Sequence, residues 1–272
     1  VYTPIISYGE EKMVWKYMLL VISIAFMLPC MGIYADPNAF SISTEYQLSL
    51  THNSSIQEEW NRTFGGDGQD VAYSVRQTID GGFIVAGYTN SFNKSDSDAW
   101  LIKVDSNGYE EWNRTFGGFN DEGAFSVQQT RDGGYIIAGY TCSFGSGYGD
   151  VWLVKTDSNG YEEWNRTFGG KDWDVGHSVQ QTSDGGYIIA GSIRYYGGKA
   201  SLIKVDYWGR EEWVFKGKNN ETAYSVQQTE DGGYVVTGHI GPYNNYDVWL
   251  MKIKKPFTPP TVIITRPDRY IY

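Results

Sequence analysis

An all-β fold built from four repeated sheets is predicted by three features of this sequence. The motif "EEWNRTFGG" occurs three times and is followed by a shortened form, "EEWVFKG"; their first residues are Glu58, Glu110, Glu162 and Glu211. The tripeptide Asp-Gly-Gly, followed by Phe or Tyr, begins at Asp80, Asp132, Asp184 and Asp231. Aromatic residues make up 16% of the chain and glycines number 33, a composition that favours strands and tight turns.

Each period of about 50 residues is interpreted as four short strands. In the first period the predicted strands are Tyr73–Thr78, Phe83–Tyr88, Ala99–Asp105 and Glu110–Phe116. "DGG" and "SNG" supply tight turns between them. A four-stranded meander of this kind does not bury its faces alone, and radial stacking of such sheets gives a β-propeller. We therefore predict a β-propeller of four four-stranded blades over residues 57–255.

The number of copies of each strand predicts how the ring closes. The surplus fourth-strand motif, Glu58–Phe64, precedes the first blade, whereas no such motif follows the last third strand, Val248–Lys254. We expect this N-terminal strand to complete the last blade, because strand exchange of this kind removes exposed sheet edges. The alternative is that the segment is the remnant of a preceding blade in an open arc of a larger or oligomeric propeller.

The motifs "QTxDGGYIIAG" and "WNRTFGG" resemble the β-propeller repeats of exported archaeal and bacterial cell-surface proteins. The resemblance covers about residues 57–255. It implies a surface location and a binding role, and it implies no particular chemistry. Such repeats often stand beside Ig-like or PKD-type modules.

The two ends of the sequence differ from the repeats. Residues 1–35 combine upstream residues with an apolar run from Met18 to Tyr34, which is typical of a signal peptide cut near Ala35. The alternative for this run is an N-terminal membrane anchor. We interpret residues 36–56 as a polar linker, and residues 256–272 as a Pro-rich linker and the start of a truncated further domain. Both interpretations of the apolar run predict an extracellular location at the cell surface.

The charge of the chain argues against a nucleic-acid partner, and its cysteine content argues against a disulfide-built scaffold. The net charge is −10 and no run of Lys or Arg occurs, whereas nucleic-acid binding requires a basic face. The two cysteines are Cys30, in the apolar run, and Cys142. Removal of the signal would leave a single thiol, which excludes a disulfide-built scaffold.

A ligand-binding rim is predicted from four loops that vary between the periods, each lying between the second and third strands. Adaptable binding surfaces are typically rich in aromatic and small polar residues, and such aromatic rings also stack on sugar rings. The alternative is that the rings fold back and serve packing. The predicted rim residues are Phe92, Phe144, Tyr148, Tyr195, Tyr196, Tyr243 and Tyr246.

An acidic residue recurs four positions before the central serine of each first strand. Four such carboxylates at one end of a central channel would suit calcium, which prefers oxygen ligands. The alternative is that each carboxylate caps backbone N–H groups of its own turn. The four residues are Asp70, Glu122, Asp174 and Glu221.

Six Asn-x-Ser/Thr sequons are candidates for glycosylation in an exported chain. Three of them lie in the repeated "WNRT", on the strand that we expect to be outermost in each blade. The six are Asn53, Asn61, Asn93, Asn113, Asn165 and Asn220.

No catalytic motif stands out. Only three histidines occur, and His177 takes the position that the other periods fill with Tyr73, Phe125 and Tyr224, so we interpret it as a core substitution. The sequence therefore predicts a non-enzymatic, exported cell-surface module that binds or scaffolds envelope glycans or proteins. Two alternatives remain: a carbohydrate-active propeller enzyme, such as a lyase or glycosidase, and a structural spacer in a surface layer.

Overall fold

The structure, a computed structural model, describes residues 57–92, 96–193, 198–242 and 244–254. The chain divides after Ile56, and the unit Gln57–Tyr272 holds every described residue. The predicted signal segment, the polar linker and the C-terminal region (1–35, 36–56 and 256–272) lie outside the described residues, as do Asn53, Asn93, Tyr195, Tyr196 and Tyr243.

Fifteen strands account for the regular structure of the described residues. In chain order they are β1 (Asp70–Gln77), β2 (Phe83–Thr89), β3 (Asp98–Val104), β4 (Glu110–Phe116), β5 (Glu122–Gln129), β6 (Tyr135–Thr141), β7 (Asp150–Thr156), β8 (Glu162–Phe168), β9 (Asp174–Gln181), β10 (Tyr187–Ile193), β11 (Lys199–Val205), β12 (Glu211–Asn219), β13 (Glu221–Gln228), β14 (Tyr234–Ile240) and β15 (Asp247–Ile253).

These strands form four antiparallel sheets in which neighbours in sequence are neighbours in space. The first three sheets have four strands each, β1–β4, β5–β8 and β9–β12, and the fourth has three, β13–β15. The described residues contain no helix. The predicted all-β fold with one sheet per period is therefore confirmed.

The Asp-Gly-Gly motifs form the turns between first and second strands. In the second sheet the Asp132 carboxylate accepts hydrogen bonds from the Gly134 N–H, at 3.1 Å, and from the Thr130 hydroxyl. Gly133 has a φ of 87°, a left-handed conformation that favours glycine. The turn therefore depends on its aspartate and on its first glycine.

The apolar faces of the sheets are buried against one another. One core cluster joins the first and second sheets through residues such as Leu101 and Trp152. Two further clusters join the second sheet to the third and the third to the fourth. The outer strand of each of the first three sheets also contacts the next sheet, as Trp112 of β4 does with Tyr135, where the ring centroids are 5.7 Å apart. Each sheet is thus stabilised chiefly by its neighbours.

The first strands of the four sheets, β1, β5, β9 and β13, lie along one cavity. They line a central cavity of about 470 Å³, and contacts join β1 to β5, β5 to β9 and β9 to β13. Side-chain amides strengthen these junctions: Gln129 Oε1 accepts a hydrogen bond from the Ile79 N–H at 2.9 Å. Gln181 and Gln228 bind the turns of the second and third sheets in the same way.

The predicted pairing of Glu58–Phe64 with the last sheet is wrong for this structure. The fourth sheet has three strands, and residues 57–66 belong to no strand. Within the described residues, β13 and β1 make no contact comparable to the other three junctions. The Trp60 ring of this N-terminal segment (Glu58–Phe64) lies 5.8 Å from that of Phe83 in the first sheet.

Candidate functional site

Four ring-bearing side chains project from bulges in the four first strands. In each first strand the register with the second strand skips one residue, between Ala72 and Ser74 in β1 for example. A bulge of this kind redirects the side chain of the extra residue. The skipped residues are Tyr73, Phe125, His177 and Tyr224.

The bulge residues contact one another across the sheets. The ring centroids lie 4.8 Å apart for Tyr73 and Phe125, 5.9 Å for Phe125 and His177, and 4.9 Å for His177 and Tyr224. These distances are typical of stacked and edge-to-face pairs. The four rings therefore form one continuous row near the ends of the first strands, on the side where the long loops begin.

A second set of rings extends this row. The second strands contribute Tyr88, Tyr140 and His239, each within 6.1 Å of the bulge residue of its own sheet. Trp173 packs 5.3 Å from Tyr140, and Tyr246 packs 4.0 Å from His239. We name these nine side chains the aromatic belt: Tyr73, Tyr88, Phe125, Tyr140, Trp173, His177, Tyr224, His239 and Tyr246.

Much of the aromatic belt faces solvent. The exposed fractions of Tyr73, Tyr224 and Tyr246 are 52%, 48% and 49%. Burial raises the pKa of Tyr140 to about 12, so its hydroxyl stays protonated near neutral pH. The surface thus combines stacked ring faces with phenol groups that donate and accept hydrogen bonds.

The third sheet interrupts the aromatic belt with polar groups. Burial, together with the nearby His239, lowers the pKa of His177 to about 4, so this imidazole is neutral at neutral pH. Its Nε2 has no hydrogen-bond partner among the described residues. Ser192 takes the position of Tyr88 and Tyr140, and its buried hydroxyl is likewise unpartnered in the described part of the chain.

The third sheet also differs where the sequence breaks the repeated Asp-x-Trp. Ser201 stands where β3 and β7 carry Trp100 and Trp152, and it is buried with an unpartnered hydroxyl among the described residues. The third sheet therefore lacks the indole that is buried in the first and second sheets.

The predicted rim residues divide into two groups. Phe92 and Phe144 lie over the buried indoles of Trp100 and Trp152, at centroid distances of 5.6 and 5.7 Å. These two rings therefore pack on their own sheets. Tyr148 is 78% exposed and lies outside the belt, whereas Tyr246 belongs to it.

The four recurring carboxylates bind their own turns. Glu122 is fully buried and accepts hydrogen bonds from the Gly118 N–H, at 2.8 Å, and from the Thr141 hydroxyl, also at 2.8 Å. Asp70, Asp174 and Glu221 each accept a backbone N–H of the preceding turn in the same manner. Among the described residues no group of three or more His, Cys, Asp or Glu side chains is arranged to hold a metal ion. Calcium binding stays a prediction.

The sequons of the repeat differ in accessibility. Asn113 is half-buried: its Nδ2 donates to Glu110 at 2.6 Å, and its Oδ1 accepts from the Trp100 indole at 3.3 Å. Asn165 makes the equivalent pair of hydrogen bonds in the second sheet. Asn61 and Asn220 are exposed, and Asn220 has a φ of 64° in the turn between β12 and β13.

The thiol of Cys142 is poorly suited to nucleophilic chemistry. Burial raises its pKa to about 11, and the carboxylates of Asp121 and Glu122 act in the same direction. The thiolate is the reactive form, so this group stays unreactive near neutral pH.

The sequence matches no model of a known protein family and no curated protein. Among solved structures, the chain is similar to the crystal structure of a protein of unknown function from Bacteroides caccae, with a TM-score of 0.44 and 10% sequence identity. The similarity covers 72% of this chain and 64% of that one, which is less than two thirds of the neighbour's length. A similarity at this level contributes nothing to a functional assignment.

The described residues include no helix of the length and apolar character needed to cross a membrane.

Proposed function

We propose that this protein is a non-enzymatic, exported cell-surface module with an open β-propeller arrangement, and that its aromatic belt binds glycans of the cell envelope. The observation that carries the proposal is the row of rings from four different sheets, held near the ends of the first strands by four equivalent bulges. A feature repeated at every period indicates a surface that the fold maintains as a unit.

The chemistry of the belt suits saccharides. Sugar rings present apolar C–H faces that stack on aromatic rings, and their hydroxyls need partners that both donate and accept hydrogen bonds. The half-exposed rings of Tyr73, Tyr224 and Tyr246 provide the aromatic faces for stacking. The hydrogen-bonding groups are the tyrosine hydroxyls and the Nε2 of neutral His177, which has no partner among the residues that the structure describes.

Export is supported by the sequence, in the apolar run before Ala35 and in the sequons. The net charge of −10 disfavours nucleic acid as a partner. A purely structural spacer would not require half-exposed aromatic rings in this row, since exposed apolar patches generally mark binding sites.

Calorimetric titration of the purified protein with a panel of envelope polysaccharides tests the proposal. We expect saturable binding that is weakened about tenfold by Tyr224→Ala, because one stacking contact contributes roughly 1–2 kcal/mol at a binding hot spot. Tyr148→Ala is the matched control, since this tyrosine is exposed on a predicted rim loop but lies outside the belt.

Two results contradict the proposal. Absence of binding to every polysaccharide, by protein shown to be folded, favours the spacer. Binding that depends on Tyr148 and not on Tyr224 assigns recognition to the loops and not to the belt.

A further inference from the structure

The N-terminal segment occupies the position of an outer strand. Its sequence, "EEWNRTF", is identical to β4 and β8. Trp60 contacts Phe83 of the first sheet at 5.8 Å, as Trp112 of β4 contacts Tyr135 of the second sheet at 5.7 Å. The Arg62 guanidinium lies 4.7 Å from the turn tyrosine of the first sheet, and β4 makes the equivalent contact with the second sheet at 4.5 Å. The segment thus stands where the outer strand of a preceding sheet would stand.

This segment lacks the third strand that its counterparts have. β4 and β8 are hydrogen-bonded to β3 and β7, whereas the N-terminal segment pairs with no strand among the described residues. β15 is the complementary case, because it is a third strand whose outer edge has no partner in the described part of the chain. Val248 and Leu250 of β15 are 87% and 70% exposed, whereas the equivalent residues of β7, Val151 and Leu153, are fully buried.

Charge complementarity identifies the missing strand. A lysine near the end of each of the first three third strands is almost fully buried between two carboxylates, one from the Asp-Gly-Gly turn and one from the outer strand. Its fourth counterpart, Lys252, is 42% exposed, and within the described part of the chain it forms an ion pair with Asp231 alone. The missing second carboxylate corresponds to Glu59, which is exposed and forms no ion pair with another described residue.

The N-terminal segment does not pair with β15 of its own chain, because the fourth sheet has three strands and Val248 and Leu250 of β15 are largely exposed. We propose that β15 binds the N-terminal segment of a second copy of this chain as its fourth strand. The register follows from β3 and β4, where Leu101 is opposite Arg114 and Lys103 is opposite Trp112. Leu250 of one copy then lies opposite Arg62 of the other.

This interface joins two different surfaces, the edge of β15 and the N-terminal segment. Each copy therefore keeps one surface of each kind available after the first contact. Assemblies of this type close into a ring when the rotation permits and otherwise grow as filaments. The pairing removes an exposed strand edge, which is a general hazard for β-sheets.

Two single-cysteine variants test the pairing directly. Arg62→Cys and Leu250→Cys are prepared separately in the full chain, with Cys30 and Cys142 replaced by serine. Directly opposed residues on antiparallel strands lie within the reach of a disulfide. After oxidation we expect a disulfide-linked pair when the two variants are mixed, and none with either variant alone.

The double variant Arg62→Cys/Leu250→Cys distinguishes whether β15 binds the N-terminal segment of a second copy or that of its own chain. Linked species larger than the monomer support the second copy. An oxidised monomer with altered mobility shows that β15 binds the segment of its own chain, and overturns the proposal. Absence of any cross-link in the mixture overturns it as well.

Charge-reversal variants provide an independent test, in which light scattering measures the molar mass of the assembly. Glu59→Lys and Lys252→Glu are each expected to raise the dissociation constant of the assembly by about tenfold, and the double variant is expected to restore assembly. Glu58→Lys is the control, because its counterparts Glu110 and Glu162 bind asparagines and not the lysine. A monomeric wild-type chain, or equal effects of Glu58→Lys and Glu59→Lys, contradicts the proposal.

Discussion

Lys155 Nζ lies 2.9 Å from a carboxylate oxygen of Glu163 and 3.1 Å from one of Asp132, and the lysine side chain is only 1% exposed. The ammonium also donates to the Thr156 carbonyl at 2.8 Å. This buried cation therefore fastens the Asp-Gly-Gly turn to the outer strand of the same sheet. The arrangement recurs with Lys103 and Lys204.

Replacement of this buried lysine should be costly. We expect Lys155→Met to reduce the free energy of unfolding by about 2–4 kcal/mol, because two carboxylates lose the cation between them. Lys252→Met is the matched variant, and we expect it to cost less than about 1 kcal/mol, since this lysine is 42% exposed. Urea denaturation measures both. Equal losses in the two variants would show that burial of the lysine does not set its contribution.

A glycine in the second strand should be required by the bulge opposite it. A Cβ atom added at Gly139 would lie 1.8 Å from the carbonyl oxygen of Gly123, which is backbone and does not rotate away. We expect Gly139→Ala to destabilise the protein by more than about 3 kcal/mol. Gly170→Ala, where a Cβ atom would meet nothing within 4 Å, should change stability by less than about 0.5 kcal/mol. A stable Gly139→Ala protein, in thermal unfolding, would mean that the bulge is dispensable.

The neutral state of His177 predicts a loss of stability in acid. Its pKa is lowered from 6.5 to about 4, mainly by burial, so the unfolded chain binds more protons than the folded chain between these pH values. The contribution of neutral His177 to the free energy of unfolding is fully present above pH 6.5. It decreases as the pH drops towards 4, by up to about 1.4 kcal/mol per pH unit. The variant His177→Phe removes this contribution.

Urea denaturation of the wild type and of His177→Phe at pH 7.5 and pH 5 checks the expectation. The carboxylates, including Asp150 with its raised pKa, are present in both proteins and therefore cancel in the comparison. The free energy of unfolding of the variant should rise relative to that of the wild type as the pH falls. Parallel losses in the two proteins would exclude His177 as the cause.

The sequons of the repeat should differ in occupancy. A glycan is attached to Nδ2, so on Asn113 or Asn165 it would replace one hydrogen of the nitrogen that donates to a neighbouring glutamate, in an amide whose Oδ1 is also held by Trp100 or Trp152. The exposed Asn61 has no such cost. We expect peptide mass spectrometry of protein secreted from a glycosylating host to find Asn61 more highly occupied. Higher occupancy at Asn113 or Asn165 would show that these hydrogen bonds do not limit modification.

The sheets could be predicted from the sequence because their determinants are local. The outer strand Glu110–Phe116 is found at its predicted bounds, since "SNG" and "FGG" delimit it. The first strand begins at Asp70 and not at Tyr73, because its acidic residue pairs with the second strand beyond the bulge. Simple alternation of side chains does not reveal a bulge of one residue.

Of the aromatic belt, only Tyr246 is among the rim residues predicted from the sequence. The alignment of periods places His177 with Tyr73, Phe125 and Tyr224, and this correspondence led to an interpretation as core. The contacts between these rings join different sheets, so they depend on tertiary stacking that a single period does not encode. The recurring glycine of the second strand, Gly139 for example, was the available signal, because it marks the close approach of the bulged backbone.

The contact between Trp112 and Tyr135 has a consequence for how the gene can change. The same tryptophan–tyrosine pair joins the second sheet to the third and the third to the fourth, at 5.9 and 5.7 Å. At each junction the preceding period therefore supplies the tryptophan, and the following period supplies the tyrosine. Duplication or deletion of one whole period would rebuild the same junction with no compensating substitution, so chain length in this protein is free to vary in steps of one sheet.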